Sequence, residues 1–495
     1  TTLFRSFGFP FDLTSLIASE KGVGVDAKGF EEELEKQKER SRNATKLETD
    51  DWVELQTGDP VFVGYDSLEC ETKILKYRKI KAKGKESFQL VLSNTPFYAE
   101  GGGQVGDTGV LKTINESIAV IDTKKENNLS VHFVEQLPEN VNATFTAVVD
   151  KTKRESSQRN HSVTHLLHEA LREVLGTHVE QKGSLVNSDY LRFDFSHFAK
   201  MTDEELKQVE QLVNSRIRAA FPLNENRNAT MDEAKAQGAM MLFGEKYGDK
   251  VRVVVMDPAY SIELCGGTHV GHTGEIEHFV LKSESSVAAG VRRIEAVVGE
   301  AANAYLTEVK EKLHKQIIQL TEGCAGVAIK LGSSFTAPTW NESSSVDVLN
   351  DTIAELQTTQ KELHKKLESQ EAQLVNSLVA DYANQFQDKN GIAFLGAKVP
   401  LNSADNIKKL AQLLSATQSK AVIVLVNEIE GKAAVALAIS ESIVTEKGWQ
   451  APQIIKDQIA PFIKGGGGGQ KTLASAGGQD VTQLNQVIEA VAGLL

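Results

Sequence analysis

The chain has 495 residues, of which 41% are hydrophobic and 24% charged, and its formal net charge is −13 at pH 7. This length is too great for one hydrophobic core and predicts roughly two to four domains. No apolar run approaches the roughly 20 residues that span a bilayer, and the start of the chain lacks the basic-then-apolar pattern of a secretory signal, so the composition excludes a membrane protein.

The cysteines and the net charge indicate the cellular compartment and the class of binding partner. Cys70, Cys265 and Cys324 are widely spaced and odd in number, which argues against a secreted disulfide framework and predicts a cytoplasmic protein. The acidic total disfavours nonspecific nucleic-acid binding, and we expect no DNA partner, although a local cluster can still contact phosphate. Residues 73–85 form one such cluster, with seven cations. The alternative is a solvated edge-strand face that lysines protect from aggregation.

The first two segments differ in predicted secondary structure. Residues 1–46 have few apolar positions and predict helices, among them a charged helix that begins near Asp26, so we expect the helical tail of an upstream domain. Residues 47–148 contain short runs of β-forming residues separated by turn residues, which predict a small β-barrel or sandwich. Within this segment lies a glycine-dense loop, residues 95–109.

Residues 149–300 predict an α+β domain. A long amphipathic helix is expected over residues 150–175, and a second helix begins at Thr202, where the pattern of a capping box is present. The strands 251–256 and 278–284 flank a loop that contains glycines.

The rest of the chain predicts two further segments. In residues 301–388, apolar residues on alternating steps of three and four predict a helical hairpin or coiled coil. In residues 389–495, strands alternate with helices, which predicts an α/β domain, and a run of five glycines, residues 465–469, follows one of the helices. The predicted fold class is therefore a multidomain α+β protein with a small β-barrel, an α+β domain, a helical hairpin or coiled coil and a C-terminal α/β domain.

Two histidines in the long helix are candidate metal ligands. His161 and His165 are four residues apart, so their rings lie on one helix face, one turn apart, and can chelate one ion. Histidines at this spacing also occur by chance in packed cores. Here, however, they share a side with His168, and the aliphatic residues form a stripe on the opposite side. The histidines are therefore expected to face either water or a cavity.

A second pair of donors comes from the segment ELCGGTHV. Cys265 and His269 are separated by two glycines, and a tight loop of this kind can place both donors at one centre. The alternative is a buried free cysteine in a turn with an exposed histidine. Together the two pairs supply three nitrogens and one sulfur, a set that suits tetrahedral Zn²⁺. Four protein ligands are typical of a structural zinc, whereas a catalytic zinc keeps one position open, and the residues leave both roles possible.

The segment HSVTHLLHEALREVLGTHVEQKGSLV followed by CGGTHV resembles the editing domain of alanyl-tRNA synthetases and of their free-standing relatives. Further segments resemble the same synthetases in the same order: FGFPFDLT, TPFYAEGGGQVGDTG, MLFGEKYGDKVRVV and ESSVAAGVRRIEAVVG. The segment GGGGGQKTLASAGG resembles their C-terminal, DHHA1-like domain, which a family of phosphoesterases shares. The resemblance covers essentially the whole chain.

The resemblance implies an aminoacyl-tRNA deacylase, an editing hydrolase that cleaves the ester between serine or glycine and tRNA(Ala). Thr164 matches a residue that hydrogen-bonds the serine hydroxyl, and Gln181 matches a glutamine in the same pocket. One zinc ion is implied at the four matching positions, His161, His165, Cys265 and His269. The C-terminal domain is implied to contact the outer corner of the tRNA, and the helical segment to support a homodimer.

A second, hydrolytic site is physically reasonable, because alanine and serine are difficult to distinguish by binding alone. Alanine and serine differ by one hydroxyl, which a small apolar pocket rejects only about a hundredfold, whereas a second site that hydrogen-bonds the hydroxyl selects serine strongly. Thr164 could instead bond back to a carbonyl of its own helix. Arg292, Arg293 and Lys471 are candidate contacts to tRNA phosphate, and the alternative for the arginines is a pair with a neighbouring carboxylate.

The sequence departs from the family in one respect and leaves three alternatives open. The family's ATP-dependent charging site lies upstream of every matched segment, so we expect this chain not to form the aminoacyl bond and to be the C-terminal part of a synthetase. The first alternative, an editing module for threonine-type tRNA, is disfavoured by FGFPFDLT and the glycine-rich C-terminal domain. The second is a noncatalytic tRNA-binding and dimerisation module with structural zinc. The third, a phosphoesterase, lacks the clustered aspartates that its metals need.

Overall fold

The computed structural model forms two compact units, Thr1–Glu308 and Val309–Leu495. The residues that it describes are 18, 22–30, 32–33, 36, 48–82, 85–241 and 248–495. The segment FGFPFDLT and most of the helical prediction for residues 1–46 lie outside them. Residues 27–30 are helical, and the Asp26 carboxylate accepts a hydrogen bond from the Gly29 N–H at 2.9 Å, so the predicted helix start near Asp26 is confirmed.

The described strands of the first unit form a barrel and three smaller sheets, one of which is the two-stranded pair of residues 61–62 and 94–95. They are β1 (Glu48–Thr49), β2 (Val53–Glu54), β3 (Val61–Phe62), β4 (Glu69–Ala82), β5 (Lys85–Leu92), β6 (Asn94–Thr95), β7 (Gly109–Lys112), β8 (Ser117–Glu126), β9 (Leu129–Val134), β10 (Thr144–Val149), β11 (Gln181–Val186), β12 (Leu191–Ser196), β13 (Asn224–Thr230), β14 (Lys250–Asp257), β15 (Ser261–Leu264), β16 (Phe279–Ala288) and β17 (Val291–Val298). The strands of the second unit are β18 (Gln387–Lys389), β19 (Ile392–Lys398), β20 (Ala421–Ile429), β21 (Lys432–Ile439), β22 (Gly465–Gln470) and β23 (Leu473–Gly478).

Several helices begin at a residue whose side chain caps the first turn. The α-helices from residue 151 onward are α1 (Lys151–Leu175), α2 (Asp203–Arg218), α3 (Met231–Ala236), α4 (Gly299–Lys330), α5 (Val346–Ala383), α6 (Ala404–Ser415), α7 (Glu441–Lys447), α8 (Ala451–Ile454), α9 (Ala460–Ile463) and α10 (Leu484–Ala492). Asp150 caps α1, and Thr202 makes the predicted capping box with Glu205 at α2. None of the described helices is both long and apolar enough to cross a bilayer.

A closed six-stranded barrel occupies the N-terminal part of the first unit. The strands follow the order β4, β10, β7, β8, β9, β5 and return to β4, while β1 and β2 pair with β4 as additions. The interior is apolar, with Leu90, Leu111 and Phe145 among the buried residues. The alternative of an edge strand is wrong for residues 73–82, because this stretch of β4 pairs with β5 on one side and with β10, β2 and β1 in turn on the other. The pairings of β4 with β5 and β10 close the barrel.

The α+β part of the first unit packs α1 and α2 on a four-stranded sheet. That sheet has the order β11-β12-β17-β16, and a separate three-stranded sheet, β13-β14-β15, leads into the CGG turn. The aliphatic stripe of α1, which includes Leu166 and Leu171, is fully buried in a core that it shares with Phe193 and Val213. Burying this stripe turns the opposite face of α1, with its histidines, toward the turn that follows β15.

A buried ion pair ties α1 to the barrel. The Arg154 side chain is fully buried, and its Nε donates to both carboxylate oxygens of Asp107 at 3.1 and 2.9 Å. Its other nitrogens donate to the backbone carbonyls of Gly64 and Pro96 at 2.8 and 2.7 Å. Because buried charges need a partner and satisfied hydrogen bonds, this arrangement fixes where α1 leaves the barrel.

The second unit contains long helices and a six-stranded sheet. The part of α4 beyond Glu308 packs against α5 through a cluster that includes Ile317, Cys324 and Leu356. The sheet order is β18-β19-β20-β21-β23-β22, with helices packed on both faces. The predicted alternation of strands and helices does not hold throughout, because β18–β19, β20–β21 and β22–β23 are antiparallel pairs of consecutive strands with no helix between them. The glycine run forms most of β22, an exposed strand at the end of the sheet order that pairs with β23.

The Arg154–Asp107 pair yields a stability prediction. Arg154→Leu is expected to lower the free energy of unfolding of the first unit by about 3–5 kcal/mol, because the Asp107 carboxylate stays buried without its cation. The change is measured from the urea dependence of hydrogen exchange in β4. Lys151→Leu is the matched control, since its ion pair with Glu155 is exposed. Equal losses in both variants would contradict the prediction.

Candidate metal centre

Four side chains from two distant segments converge in the first unit. His161 and His165 come from α1, and Cys265 and His269 come from the turn after β15. Their candidate ligand atoms all lie within 4.8 Å of one another. The Cys265 Sγ lies 3.4 Å from His161 Nε2 and 3.3 Å from His269 Nε2. The structure thus brings the two sequence-predicted pairs together.

The spacing of these donors fits a tetrahedral ion. Zinc bonds of about 2.3 Å to sulfur and 2.0–2.1 Å to nitrogen place neighbouring donor atoms about 3.5 Å apart. The two measured distances from Cys265 Sγ are close to this value. In addition, His165 Nε2 is buried and has no hydrogen-bond partner among the described residues. A buried nitrogen of this kind needs a partner, and a metal ion would supply one.

Two of the histidines hold their outer ring nitrogens in direct hydrogen bonds. His161 Nδ1 donates to Gln104 Oε1 at 2.7 Å, and His165 Nδ1 donates to the Glu263 carboxylate at 2.5 Å. Both Gln104 and Glu263 are buried. In a neutral ring, a proton on Nδ1 leaves the lone pair on Nε2, and this is the tautomer that binds a metal on the inner side.

The third histidine is held by its neighbour on α1. Ser162 Oγ lies 3.1 Å from His269 Nδ1 and also accepts a hydrogen bond from the Val270 N–H at 3.1 Å. Ser162 is fully buried. Each histidine of the cluster therefore has a protein partner at its Nδ1 atom, so all three rings are oriented from outside.

Close packing explains the two glycines of the turn. An added Cβ at Gly267 would lie 1.9 Å from the His161 ring, whereas at Gly266 it would meet no atom within 4 Å. Arg252 donates to the carbonyls of Cys265 and Gly267 at 3.0 and 2.6 Å. The Tyr65 hydroxyl donates to the Gly266 carbonyl at 2.7 Å. The turn is therefore pinned from one side while its inner face packs against His161.

The charge states of the cluster follow from burial and from mutual attraction. Burial raises the pKa of the Cys265 thiol, but the three surrounding histidine rings outweigh it, and the pKa lies well below its usual range. Burial lowers the pKa of His269 to about 3. Burial also lowers the pKa of His165, yet the Glu263 carboxylate and the Cys265 thiolate raise it more, so it lies well above its usual value. Thiolate and neutral imidazole are the forms that bind metal ions, so Cys265 and His269 already have the binding form, whereas His165 would release a proton when an ion binds.

The remaining pocket candidates make hydrogen bonds of their own. The Thr164 hydroxyl is buried and donates to the Asn160 carbonyl at 2.7 Å, the back-bonding geometry of a helical threonine. Gln181 Nε2 donates to Ser184 Oγ at 3.3 Å. Neither hydrogen bond involves any of the four donor side chains. His168 is also buried, and neither of its ring nitrogens has a hydrogen-bond partner in the described part of the chain.

The three candidate phosphate contacts differ in their surroundings. Arg292 makes two bonds to the Glu284 carboxylate, at 2.5 and 2.6 Å. Arg293 makes two bonds to the Asp194 carboxylate, at 2.7 and 2.8 Å. Both arginines thus take the carboxylate pairing that was the alternative to phosphate binding. Lys471 lies exposed in the turn between β22 and β23.

Three residues that orient the histidines were not among the sequence candidates. Ser162 adjoins His161, and Glu263 precedes Cys265 by two residues, so both lie next to candidate donors in the sequence. Gln104 directly follows the three glycines 101–103 in the loop 95–109. A search for polar residues beside the donors would have found the first two. Gln104 lies 57 residues before His161, so its contact is visible only in the folded chain.

The glycine pair of the turn yields a prediction with a built-in control. Gly267→Ala is expected to weaken zinc binding by about 10- to 100-fold, because the methyl group displaces the His161 ring. Gly266→Ala is expected to bind zinc like the unsubstituted chain, since its Cβ points into open space. Competition with a chromophoric chelator measures both affinities. Indistinguishable affinities for the two variants would be inconsistent with this packing.

Three family models match the chain. One described as tRNA synthetases class II (A) matches residues 1–153, and one described as the Threonyl and Alanyl tRNA synthetase second additional domain matches residues 251–295. The third, the DHHA1 domain, matches residues 391–495. The second match contains both donors of the turn, and the third contains the glycine run.

Curated relatives match along nearly the whole chain. The alanine–tRNA ligase of Christiangramia forsetii is 46% identical over 490 residues, which cover 98% of this chain and 53% of that protein. Those of Cytophaga hutchinsonii and Parabacteroides distasonis are 45% identical over 487 residues and 46% identical over 491 residues, covering 98% and 99% of this chain and 53% of each relative. The chain spans about half the length of the curated relatives it matches. By these matches it belongs to the alanyl-tRNA synthetase family.

Proposed function

We propose that this chain carries an editing activity, the zinc-associated hydrolysis of serine or glycine esters of tRNA(Ala). The observation that carries the proposal is the convergence of His161, His165, Cys265 and His269 in a member of this family. In the reaction, water adds to the ester carbonyl, the bond to the ribose oxygen breaks, and the free amino acid and tRNA leave. The relatives' ligation of alanine to tRNA with ATP is proposed only for the longer protein.

The donor set defines what an ion would contribute. A zinc ion held by the four donors would stabilise the negative charge that develops on the ester oxygen. The chain's own residues prepare that site: Glu263 and Gln104 hold two of the histidine rings through their Nδ1 atoms, and Cys265 contributes a thiolate. These contacts fix the donors before a substrate enters, which reduces the reorganisation needed during the reaction.

Thr164 and Gln181 are proposed as pocket residues that select serine. The Thr164 hydroxyl already donates its proton to the Asn160 carbonyl, so its oxygen can only accept a further hydrogen bond. The serine hydroxyl can donate one, whereas an alanine ester leaves that acceptor unpaired. A hydroxyl-binding site of this kind discriminates much more strongly than an apolar pocket.

Two other functions are alternatives to an editing activity specific for tRNA(Ala). A threonine-type editing module is disfavoured, because the DHHA1 domain matches residues 391–495 and because alanine–tRNA ligases match 98% of this chain. A noncatalytic tRNA-binding module is favoured by one observation, since four protein donors are typical of a closed structural zinc. Deacylation kinetics separate it from an editing enzyme.

We further propose tRNA(Ala) as the partner and the cytoplasm as the setting, with self-association through α4 and α5 as a proposed homodimer contact. Lys471, in its exposed turn, is the strongest candidate for a phosphate contact. Arg292 and Arg293 remain proposals of lower rank, because phosphate would compete with the carboxylates of Glu284 and Asp194.

The editing proposal predicts the effect of removing one donor. His165→Ala is expected to slow the hydrolysis of seryl-tRNA(Ala) by about a hundredfold or more, because the site loses one of its four donors. His272→Ala is the matched control, since this histidine is exposed and outside the cluster. Release of radiolabelled serine measures both rates. If the unsubstituted chain hydrolyses the ester no faster than His165→Ala, the binding module is the better description.

The phosphate proposal predicts a change in salt dependence. Lys471→Ala is expected to lower the affinity for tRNA(Ala) and to reduce the slope of log K against log salt concentration by about one, since one phosphate contact is lost. Filter binding across a series of salt concentrations measures the slope. Lys432→Ala, at an exposed position of β21, is expected to leave it unchanged. An unchanged slope for Lys471→Ala would rule out this contact.

A further inference from the structure

Gln104 is a fully buried side chain that connects three parts of the first unit. It lies in the loop between β6 and β7, and its Oε1 accepts hydrogen bonds from His161 Nδ1 at 2.7 Å and from the Thr268 N–H at 3.0 Å. Its Nε2 donates to Thr268 Oγ1 at 2.8 Å. One side-chain amide of this loop therefore contacts both α1 and the CGGTH turn, residues 265–269.

These bonds determine the protonation of His161. The Thr268 backbone N–H can only donate, so the amide atom that faces it is the oxygen. Because that same oxygen faces His161 Nδ1, this ring nitrogen must carry the proton. The lone pair then lies on Nε2, the nitrogen that is 3.4 Å from Cys265 Sγ. Gln104 thus selects the tautomer in which His161 can bind a metal at the centre.

The loop that carries Gln104 is itself held against the α+β part. The Gly103 carbonyl accepts from the Val186 N–H at 2.7 Å, and the Val105 N–H donates to the Val186 carbonyl at 3.0 Å. Gly103 has a φ of +83°, and an added Cβ there would lie 2.0 Å from Ser184 Oγ. Only glycine permits this approach at position 103, so Gly103 lets the loop place Gln104 at the centre.

We propose that Gln104 is a positioning residue that couples docking of the loop 101–107 to metal binding at the four donors. The inference rests on the proposed zinc site. Without the Gln104 amide, the Thr268 N–H and His161 Nδ1 lose their buried partner, and both the helix and turn sides of the centre lose a restraint. Because coupling between two sites is reciprocal, a metal ion at the donors strengthens the docking of the loop.

The test compares Gln104→Ala, Gln104→Glu and the control Gln56→Ala, an exposed glutamine, in the full chain with zinc alone as the probe. Gln104→Ala is expected to weaken zinc binding by about 10- to 100-fold. Gln104→Glu is expected to retain affinity, because a carboxylate accepts from both His161 and the Thr268 N–H. Zinc is expected to slow hydrogen–deuterium exchange in residues 101–107 of the unsubstituted chain but not of Gln104→Ala.

The outcomes separate this inference from the editing proposal. Zinc affinity for Gln104→Ala equal to that of Gln56→Ala, with no difference in loop exchange, overturns the coupling whether or not seryl-tRNA is hydrolysed. Loss of affinity in Gln104→Ala with retention in Gln104→Glu supports the coupling even where deacylation is absent. Nitrogen-15 spectra of the metal-free protein give a further readout: a proton on His161 Nδ1 supports the assignment, and its absence contradicts it. Circular dichroism checks that each variant is folded.

Discussion

The need of each buried imidazole for two partners is the constraint on which the candidate site depends. A histidine ring has two nitrogens, and neither can be left unpaired in the interior without a free-energy cost. In His161, His165 and His269 the outer nitrogen lies against a protein group, namely Gln104, Glu263 and Ser162. The inner nitrogens share one small space with the Cys265 sulfur. A cation in that space would satisfy them all at once.

Meeting this constraint requires three segments that are far apart in the chain to be held in register. The aliphatic face of α1 fixes the rotation of the helix, and the Arg154–Asp107 ion pair fixes where the helix leaves the barrel. Arg252 holds the carbonyls of the turn from the opposite side. The two motifs alone therefore do not position the donors. The contacts that hold the helix and those that hold the turn come from different parts of the first unit, and both sets are needed.

Local patterns predicted the elements, and non-local contacts limited what could be predicted. The bounds of α1 and the start at Thr202 followed from periodicity and capping, and the four donors followed from residue type and spacing. Strand pairing was less accessible, because a cation-rich strand gives no signal of whether it lies at an edge or within a closed barrel. The glycine run was not predicted as β22, since glycine has low β-propensity and pairing with β23 decides its conformation. The Gln104 contact joins residues that no local pattern relates.

Charge balance explains why this cluster suits a divalent ion. At neutral pH the buried site contains the Cys265 thiolate and the Glu263 carboxylate, which is hydrogen-bonded to the outer nitrogen of His165. Together they contribute two negative charges. Without a metal, these two negative groups raise the pKa of His165, and the proton that it holds compensates one of the two charges. A divalent cation would compensate both and displace that proton, leaving the buried centre neutral. The carboxylate behind His165 therefore belongs to the metal site in charge as well as in geometry.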